Sequence, residues 1–234
     1  MIAVAEPGLR PCADVVEHTD GFVVERFPVG RQKANAYIAY HGRSRVGVVV
    51  DPGADADVLL DRIVALTVDL RAIVLTHAHW DHVGGAQMIS DATGALVHLH
   101  EGDAELLRRA PLFAARVDGI AMKVPRQVSL WAGETSLPLK TTQVTLIPTP
   151  GHTAGSSVVL IGEALFTGDT LLPRKTGRTD LPGGDPRLMA ISLQRIRNEL
   201  RSAATVFPGH GTPFAASEAE TWLSEGGALS TEPQ

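Results

Sequence analysis

One short segment, residues 76–82 with the sequence Thr-His-Ala-His-Trp-Asp-His, constrains this chain more than any other feature. Four side chains that can bind a metal ion lie in it, directly after an apolar run that is typical of a buried strand. In an extended loop, side chains two residues apart point to the same side. His77, His79 and Asp81 can therefore converge, while His82 points in a different direction. This geometry suits two adjacent metal ions better than one.

Three further candidate ligands follow at long range, each just after an apolar run and beside a glycine: His152, Asp169 and His210. Strand-to-loop exits of this kind are where an α/β scaffold presents functional groups. Imidazole and carboxylate ligands suit zinc, iron or manganese. The single cysteine, Cys12, lies outside every motif, so we predict no catalytic role for it.

The four remaining histidines are interpreted as lying outside the metal site. His18 and His41 occur in polar or turn-like segments, where we expect solvated side chains. His98 and His100 share one face of a predicted strand. We expect these two at the strand end or behind the ligands rather than in contact with a metal ion.

Composition narrows the class of protein without identifying it. A chain of 234 residues with 44% apolar and 20% charged residues is ordinary for a soluble enzyme and long enough for a substantial core. The net charge of −5 gives no argument for nucleic acid or an anionic membrane as a partner. No apolar window reaches about 18 residues, so we expect no transmembrane helix.

We expect one domain over residues 1–225 and a flexible tail over residues 226–234. Residues 1–20 lack the basic start and apolar core of a signal peptide. A single cysteine fits a reducing compartment. These features predict a cytoplasmic protein whose partner is a small molecule, and they leave the oligomeric state open.

Apolar periodicity and turn signals predict the secondary structure. Strands are expected at residues 21–28, 35–41, 45–50, 71–76, 95–99, 126–130, 135–139, 143–148, 156–161, 164–167 and 204–207. Helices are expected at residues 55–68, 83–93, 101–110 and 186–201. Pro111 is expected to end the third helix. Pro186 after Asp185 is a start signal for the fourth.

The combined pattern of these metal-capable residues resembles the metallo-β-lactamase fold superfamily over about residues 20–215. The resemblance implies an α/β (α+β) fold. It implies a four-layer αβ/βα sandwich, in which two mixed β-sheets pack face to face and are flanked by helices. The functional site would lie at one edge of the two sheets.

The resemblance also implies a division of the ligands between two metal ions. The first ion would be held by three histidines: His77, His79 and His152. The second would be held by Asp81, His82 and His210. Asp169 would bridge the two ions, and Asp51, after the apolar run at residues 48–50, matches a supporting residue of the same superfamily.

Two smaller features direct the choice of activity within that superfamily. Asp169 stands where the β-lactam-cleaving branches commonly carry Cys, which argues against antibiotic hydrolysis. Residues 177–185 resemble a segment beside the site in single-domain glyoxalase II-like proteins and also in persulfide dioxygenases. Arg178 in this segment is predicted to bind a substrate carboxylate through its planar guanidinium. The alternative is a surface arginine that pairs with Asp180 or Asp185, and Asp180 is expected to order the loop.

Two close cations lower the pKa of a shared water toward neutrality, which makes a hydroxide nucleophile available. A thiolate leaving group, with a free pKa of about 8.5, departs without a strong general acid. The sequence shows no separate acid motif. We therefore predict a hydrolase that cleaves a small thioester or ester with two divalent metal ions, zinc before iron or manganese. Asp81 and Asp169 are the predicted catalytic carboxylates.

Three alternatives remain open. A persulfide dioxygenase would use one iron held by His77, His152 and Asp169 or a related subset. In a non-enzymatic protein the metal ions would only stabilise the fold. A lactonase would need an apolar acyl pocket, for which the candidates are Leu112, Phe113, Leu171 and Leu172.

Overall fold

The structure, a computed structural model, describes residues 12–139 and 143–227. The predictions for residues 1–11, and for residues 228–234 of the tail, lie outside the described residues. The strands are β1 (Asp14–Glu17), β2 (Phe22–Val29), β3 (Ala34–His41), β4 (Val46–Val50), β5 (Asp69–Val74), β6 (Leu96–His100), β7 (Val128–Trp131), β8 (Thr135–Pro138), β9 (Gln143–Pro148), β10 (Ser157–Ile161), β11 (Ala164–Gly168), β12 (Thr205–Pro208) and β13 (Phe214–Ala215). The helices are α1 (Ala56–Ala65), α2 (Trp80–Val83), α3 (Ala86–Thr93), α4 (Ala104–Phe113), α5 (Pro186–Arg195), α6 (Arg197–Ser202) and α7 (Ala216–Ser224).

The strands form two mixed sheets. The first has the order β1-β2-β3-β4-β5-β6-β7, antiparallel from β1 to β4 and parallel from β4 to β7. The second has the order β13-β12-β11-β10-β9-β8, in which β11 and β12 are parallel and the other pairs antiparallel. No helix within the described ranges is long and apolar enough to cross a membrane.

Alternating apolar side chains on the central strands produce the layers. Val48 and Val50 of β4 belong to the apolar cluster between the sheets, together with Phe166 of β11. Val49 points the other way and packs in the cluster that α1, α3 and α4 form on the first sheet. Leu165 packs with α5, α6 and α7 on the second sheet. The order helices, sheet, sheet, helices confirms the predicted fold class.

Four strands end at the edge where the candidate ligands lie. Asp51 follows β4, and the loop with His77 follows β5. Asp169 follows β11, and the loop with His210 follows β12. Because β4 and β5 are parallel, and β11 and β12 are parallel, each pair delivers its two loops to the same edge of its sheet.

Pro111 does not end a helix, and that prediction was wrong. Helix α4 runs two residues past it and continues into a wider turn at residues 114–118. Leu107, Ala110 and Ala114 are buried at helical spacing. Their packing outweighs the one hydrogen bond that the proline nitrogen cannot donate.

His18 is buried rather than solvated, which also corrects the prediction. It is 8% exposed and packs edge-on against Phe207, with ring centroids 5.9 Å apart. The neighbouring Thr19 hydroxyl donates to Glu163, 144 positions away in the chain, at 2.6 Å. The polar turn therefore lies against the second sheet, which local polarity does not reveal.

The remaining differences concern where elements begin and end. The helix predicted at residues 83–93 begins three residues later, as α3, and the short α2 precedes it. The helix predicted at residues 186–201 is divided in two at Ile196. Strands β1 and β13 and helix α7 lie where no element was predicted.

A buried ion pair beneath α1 leads to a prediction about the stability of the fold. Arg62 donates to both oxygens of Glu25, at 2.6 and 2.8 Å, and the Glu25 side chain is only 2% exposed. Arg62→Met leaves that carboxylate buried without its cation. We expect a loss of about 3–5 kcal/mol in the free energy of unfolding, measured by urea denaturation at fixed metal concentration.

Arg71→Met is the matched control. Arg71 pairs with Asp69, and both side chains are almost half exposed. An exposed pair contributes about 0–1 kcal/mol, so this variant should unfold close to the wild type. Equal losses in the two variants would contradict the prediction.

Candidate metal centre

Three histidines converge at the edge of the two sheets and are called here the three-histidine group: His77, His79 and His152. His77 and His79 lie after β5, and His152 lies between β9 and β10. Nδ1 of His79 is 3.1 Å from Nε2 of His77 and 2.9 Å from Nε2 of His152. All three residues are buried. Three ring nitrogens this close can share one metal ion.

Hydrogen bonds to the outer ring nitrogens leave the inner nitrogens of two of these histidines free. Nδ1–H of His152 donates to the carbonyl oxygen of Arg178 at 2.7 Å. The Thr76 hydroxyl donates to Asp51 at 2.6 Å, so it accepts from Nδ1–H of His77 at 3.0 Å. Both contacts place the lone pair on Nε2, which is the tautomer that a metal ion requires there.

A second cluster beside the first is called here the mixed group: Asp81, His82 and His210. Oδ2 of Asp81 lies 3.7 Å from Nε2 of His82 and 3.4 Å from Nε2 of His210. Nδ1–H of His82 donates to Asp51 at 3.0 Å, so its Nε2 is available to the mixed group.

Asp51 lies close enough to His77 and His82 to form another possible ligand set. Its oxygens are already engaged, however, because they accept from the backbone N–H of Thr76 at 2.7 Å, from the Thr76 hydroxyl and from His82. This arrangement agrees with the supporting position expected for Asp51.

Asp169 lies between the two groups. Its Oδ2 is 3.6 Å from Nε2 of His152 and 3.7 Å from Nε2 of His210. Its Oδ1 is 3.8 Å from Nε2 of His82. The structure therefore brings all seven residues singled out from the sequence as ligands to one place.

Two buried atoms of this cluster fit a bound cation. Nε2 of His82 and Oδ1 of Asp169 are buried and have no hydrogen-bond partner among the described residues. A Cβ on Gly209 would meet Asp169 Oδ1 and would lie 2.9 Å from Cε1 of His82, so this space requires a glycine. Buried polar atoms in native proteins normally have a partner, and a divalent metal ion would supply one here.

The pKa values of His77, His79, Asp81 and Asp169 suit metal binding. Burial, followed by the neighbouring histidines, holds the pKa of His77 well below its ordinary value and lowers that of His79 to about 3. Both rings are therefore neutral near neutral pH, as metal ligands must be. Burial raises the pKa of Asp81 and Asp169, but the nearby histidines outweigh it and hold both pKa values below their ordinary range.

A family model described as the metallo-beta-lactamase superfamily matches residues 29–210. The chain belongs to this superfamily. An uncharacterized protein of Mycobacterium tuberculosis is 34% identical over 203 residues, which cover 81% of this chain and 91% of that protein. Hydroxyacylglutathione hydrolase GloC of Haemophilus influenzae is 30% identical over 194 residues, again covering 81% of this chain and 91% of the relative.

Solved structures of the superfamily agree with the fold. BLEG-1, described as a B3 metallo-beta-lactamase, has a TM-score of 0.74 and 32% identity, covering 83% of this chain and 95% of its own. TTHA1623 in a di-iron-bound form has a TM-score of 0.70 and 32% identity, covering 82% of this chain and 95% of its own.

In this metallo-β-lactamase superfamily member, Arg178 pairs with Asp180. Its Nε and Nη2 donate to the two carboxylate oxygens, both at 2.6 Å. This is the alternative that the sequence left open, and the ordering of the loop by Asp180 stays a prediction. The Arg178 side chain is 32% exposed, so it remains accessible from solvent. Its contact with a substrate stays a prediction.

The four apolar residues considered for an acyl pocket do not line a common one. Leu171 and Leu172 are buried and border a cavity of about 320 Å³ beside α7. Phe113 borders a different cavity of about 210 Å³, between α4 and residues 182–183. Leu112 is 71% exposed.

The other predicted positions lie outside the cluster, and two residues were missed. His98 and His100, on β6, belong to none of the ligand sets found in the described part of the chain. Asn35 and Asp103 are buried polar residues that contact the ligand loops. The available signals in the sequence were a polar residue inside the apolar run of β3 and an acid three residues after the end of β6.

Metal binding by the mixed group should displace a proton. Burial opposes a charge on His82, but Asp81, Asp51 and Asp169 outweigh it and raise the pKa of His82 to about 10. The imidazolium therefore competes with the ion, and apparent affinity should rise with pH up to near that value. We expect release of about one proton per ion near neutral pH, measured by calorimetry in buffers of different protonation enthalpy. Proton release that is unchanged in His82→Asn would contradict this expectation.

Proposed function

We propose that the protein is a dinuclear metal-dependent hydrolase that cleaves a small thioester, in the manner of the hydroxyacylglutathione hydrolases. The observation that carries the proposal is the position of Asp169 between the three-histidine group and the mixed group. Two sets of three ligands that share one carboxylate are suited to two ions rather than one. The similarity to GloC supports a thioester as the substrate.

The ligand roles follow from this arrangement. The three-histidine group is proposed to hold one ion and the mixed group the other, with Asp169 shared between them. Two divalent cations, zinc first with iron or manganese as alternatives, would supply the charge that activates water and polarises the carbonyl under attack. The di-iron form of TTHA1623 supports iron as an alternative.

This chain's own residues prepare that chemistry. The Arg178 carbonyl and the Thr76 hydroxyl hold His152 and His77 in the tautomers that present Nε2. Asp81 and Asp169, ionised because nearby histidines lower their pKa values, are proposed as the catalytic carboxylates that orient the attacking water. Their fixed positions avoid reorganisation during the reaction, which is the main advantage of a preorganised site.

Arg178 is the proposed contact for the non-reacting part of the substrate. Its guanidinium already binds a carboxylate in bidentate geometry, that of Asp180. A substrate carboxylate would replace Asp180 in the same geometry. The leaving thiolate, with a free pKa of about 8.5, departs without a strong acid. The single cysteine fits action in the reducing cytoplasm on a small molecule.

A substrate panel tests this proposal. Protein loaded with Zn²⁺ or Mn²⁺ should release free thiol from S-lactoylglutathione or another acyl-thiol, measured with a thiol reagent. Activity should disappear on chelation and return when the metal is added back. Elemental analysis should give close to two ions per chain.

The same panel separates the competing functions. β-Lactam hydrolysis is the second candidate, because BLEG-1 is 32% identical over most of this chain. Cleavage of a cephalosporin or of an acyl-homoserine lactone without thiol release would replace the thioesterase proposal. One iron per chain with O₂ uptake on a thiol persulfide would identify a dioxygenase instead.

Asp169→Asn tests the shared carboxylate. The neutral amide keeps the shape but is a poor bridging ligand, so repulsion between the two ions is no longer offset. We expect the loss of at least one ion per chain and a rate reduced roughly 100-fold or more, followed by mass spectrometry and kinetics. His98→Ala is the control and should keep both ions. The reverse pattern would show that the ligand assignment is wrong.

A further inference from the structure

Asp103 joins the two loops that supply the three-histidine group. It lies three residues after the end of β6 and is 1% exposed. Its Oδ2 accepts from the backbone N–H of Ala78, in the loop after β5, at 2.9 Å. The same oxygen accepts from the Thr153 hydroxyl at 2.8 Å, and Oδ1 accepts from Gly155 N–H at 2.7 Å, both in the loop after β9. One buried carboxylate therefore fixes both loop backbones without touching a ligand side chain.

Asn35 makes the corresponding connection to the loop that carries His210. It lies on β3 and is 1% exposed. Its Nδ2 donates to the carbonyl oxygens of Pro208 at 2.9 Å and Gly211 at 2.8 Å. Its backbone N–H donates to the carbonyl of Gly209 at 2.7 Å. A single residue of the first sheet thus holds three carbonyls around His210.

We expect the orientation of the His210 side chain to depend on this backbone contact. Its side chain is 29% exposed, whereas those of His82 and His152 are 1% and 3% exposed. A ring with little packing around it is oriented mainly by the loop that carries it. Loss of the Asn35 amide therefore changes the position of a ligand of the mixed group.

We propose that Asp103 and Asn35 are positioning residues for different metal ions. Asp103 controls the affinity of the three-histidine group, and Asn35 controls that of the mixed group. The proposal rests on the two-ion assignment under the proposed function. Groups that orient metal ligands change metal affinity by about 10–100-fold, which is the scale expected here.

The two contacts are independent in the structure. Asp103 binds the loops after β5 and β9, while Asn35 binds the loop after β12. They share no hydrogen-bond partner. Changes at sites without shared partners usually have additive effects. Each ion should therefore respond to one of the two residues.

Titration of the metal-free full-length protein with Co²⁺, followed by its absorption spectrum, tests the proposal. Asp103→Asn should weaken the three-histidine step by about 10-fold or more and leave the other step within about 3-fold. Asn35→Leu, which keeps the branched shape and removes both amide donors, should give the opposite pattern. His152→Ala and His210→Ala show which absorption change belongs to which group.

Two matched controls separate positioning from general stability. Gln87→Met removes another buried side-chain amide, which donates to Asp91 at 2.7 Å rather than to a ligand loop. Glu25→Gln neutralises another buried carboxylate, whose oxygens accept from the side chains of Arg62 and Tyr40 rather than from a ligand loop. Both controls should keep the ratio of the two affinities.

Several results would overturn the proposal. Asp103→Asn or Asn35→Leu could weaken both steps equally, as a purely structural residue would, or could leave both steps unchanged. If Asn35→Leu does not fold, Asn35→Ala removes the same donors and carries the same expectation. A single Co²⁺ step in the wild type would instead contradict the two-ion assignment, so that failure is distinguishable from failure of the positioning proposal.

Discussion

The structure depends on the close approach of loop backbones from two different sheets at one edge. A Cβ on Gly168, at the end of β11, would lie 2.8 Å from Cβ of Thr76, after β5. A Cβ on Gly209 would lie 2.9 Å from Cε1 of His82. A side chain at either glycine would move the strand ends apart. Metal–ligand bonds of about 2 Å tolerate little such movement, so the spacing between the sheets determines whether the ligands can meet.

Charge is the second constraint on this edge. The close approach of the loops brings the carboxylates of Asp51, Asp81 and Asp169 into one poorly solvated region. Isolated buried charges are costly. Without a metal ion, a proton on His82 offsets part of this negative charge, which is why its pKa is raised to about 10. Binding of a metal ion by the mixed group would therefore replace the positive charge of the His82 proton with that of the ion. The loops can hold their arrangement before the ion arrives.

The sequence predicted the convergence of the candidate ligands better than it predicted their surroundings. His77 and His79 belong to one short segment, so their convergence is a local property that spacing reveals. The layers were expected from the resemblance to the superfamily. The buried position of His18, the continuation of α4 through Pro111 and the contacts of Asn35 with residues 208–211 all depend on partners or packing distant in the chain. No local pattern encodes those partners, and single-sequence reasoning therefore missed them.

The segment proposed to recognise substrate is also part of the metal centre. Gly177 N–H donates to the carbonyl of Asp169 at 2.7 Å, and a Cβ there would lie 2.9 Å from Nδ1 of His152. The next residue, Arg178, accepts from that Nδ1 through its carbonyl while its guanidinium holds Asp180. The backbone of Arg178 thus contacts the candidate ligand His152, while its side chain lies on the side proposed to bind substrate. If a substrate carboxylate takes the guanidinium away from Asp180, as proposed above, the movement would reach His152 through this single residue.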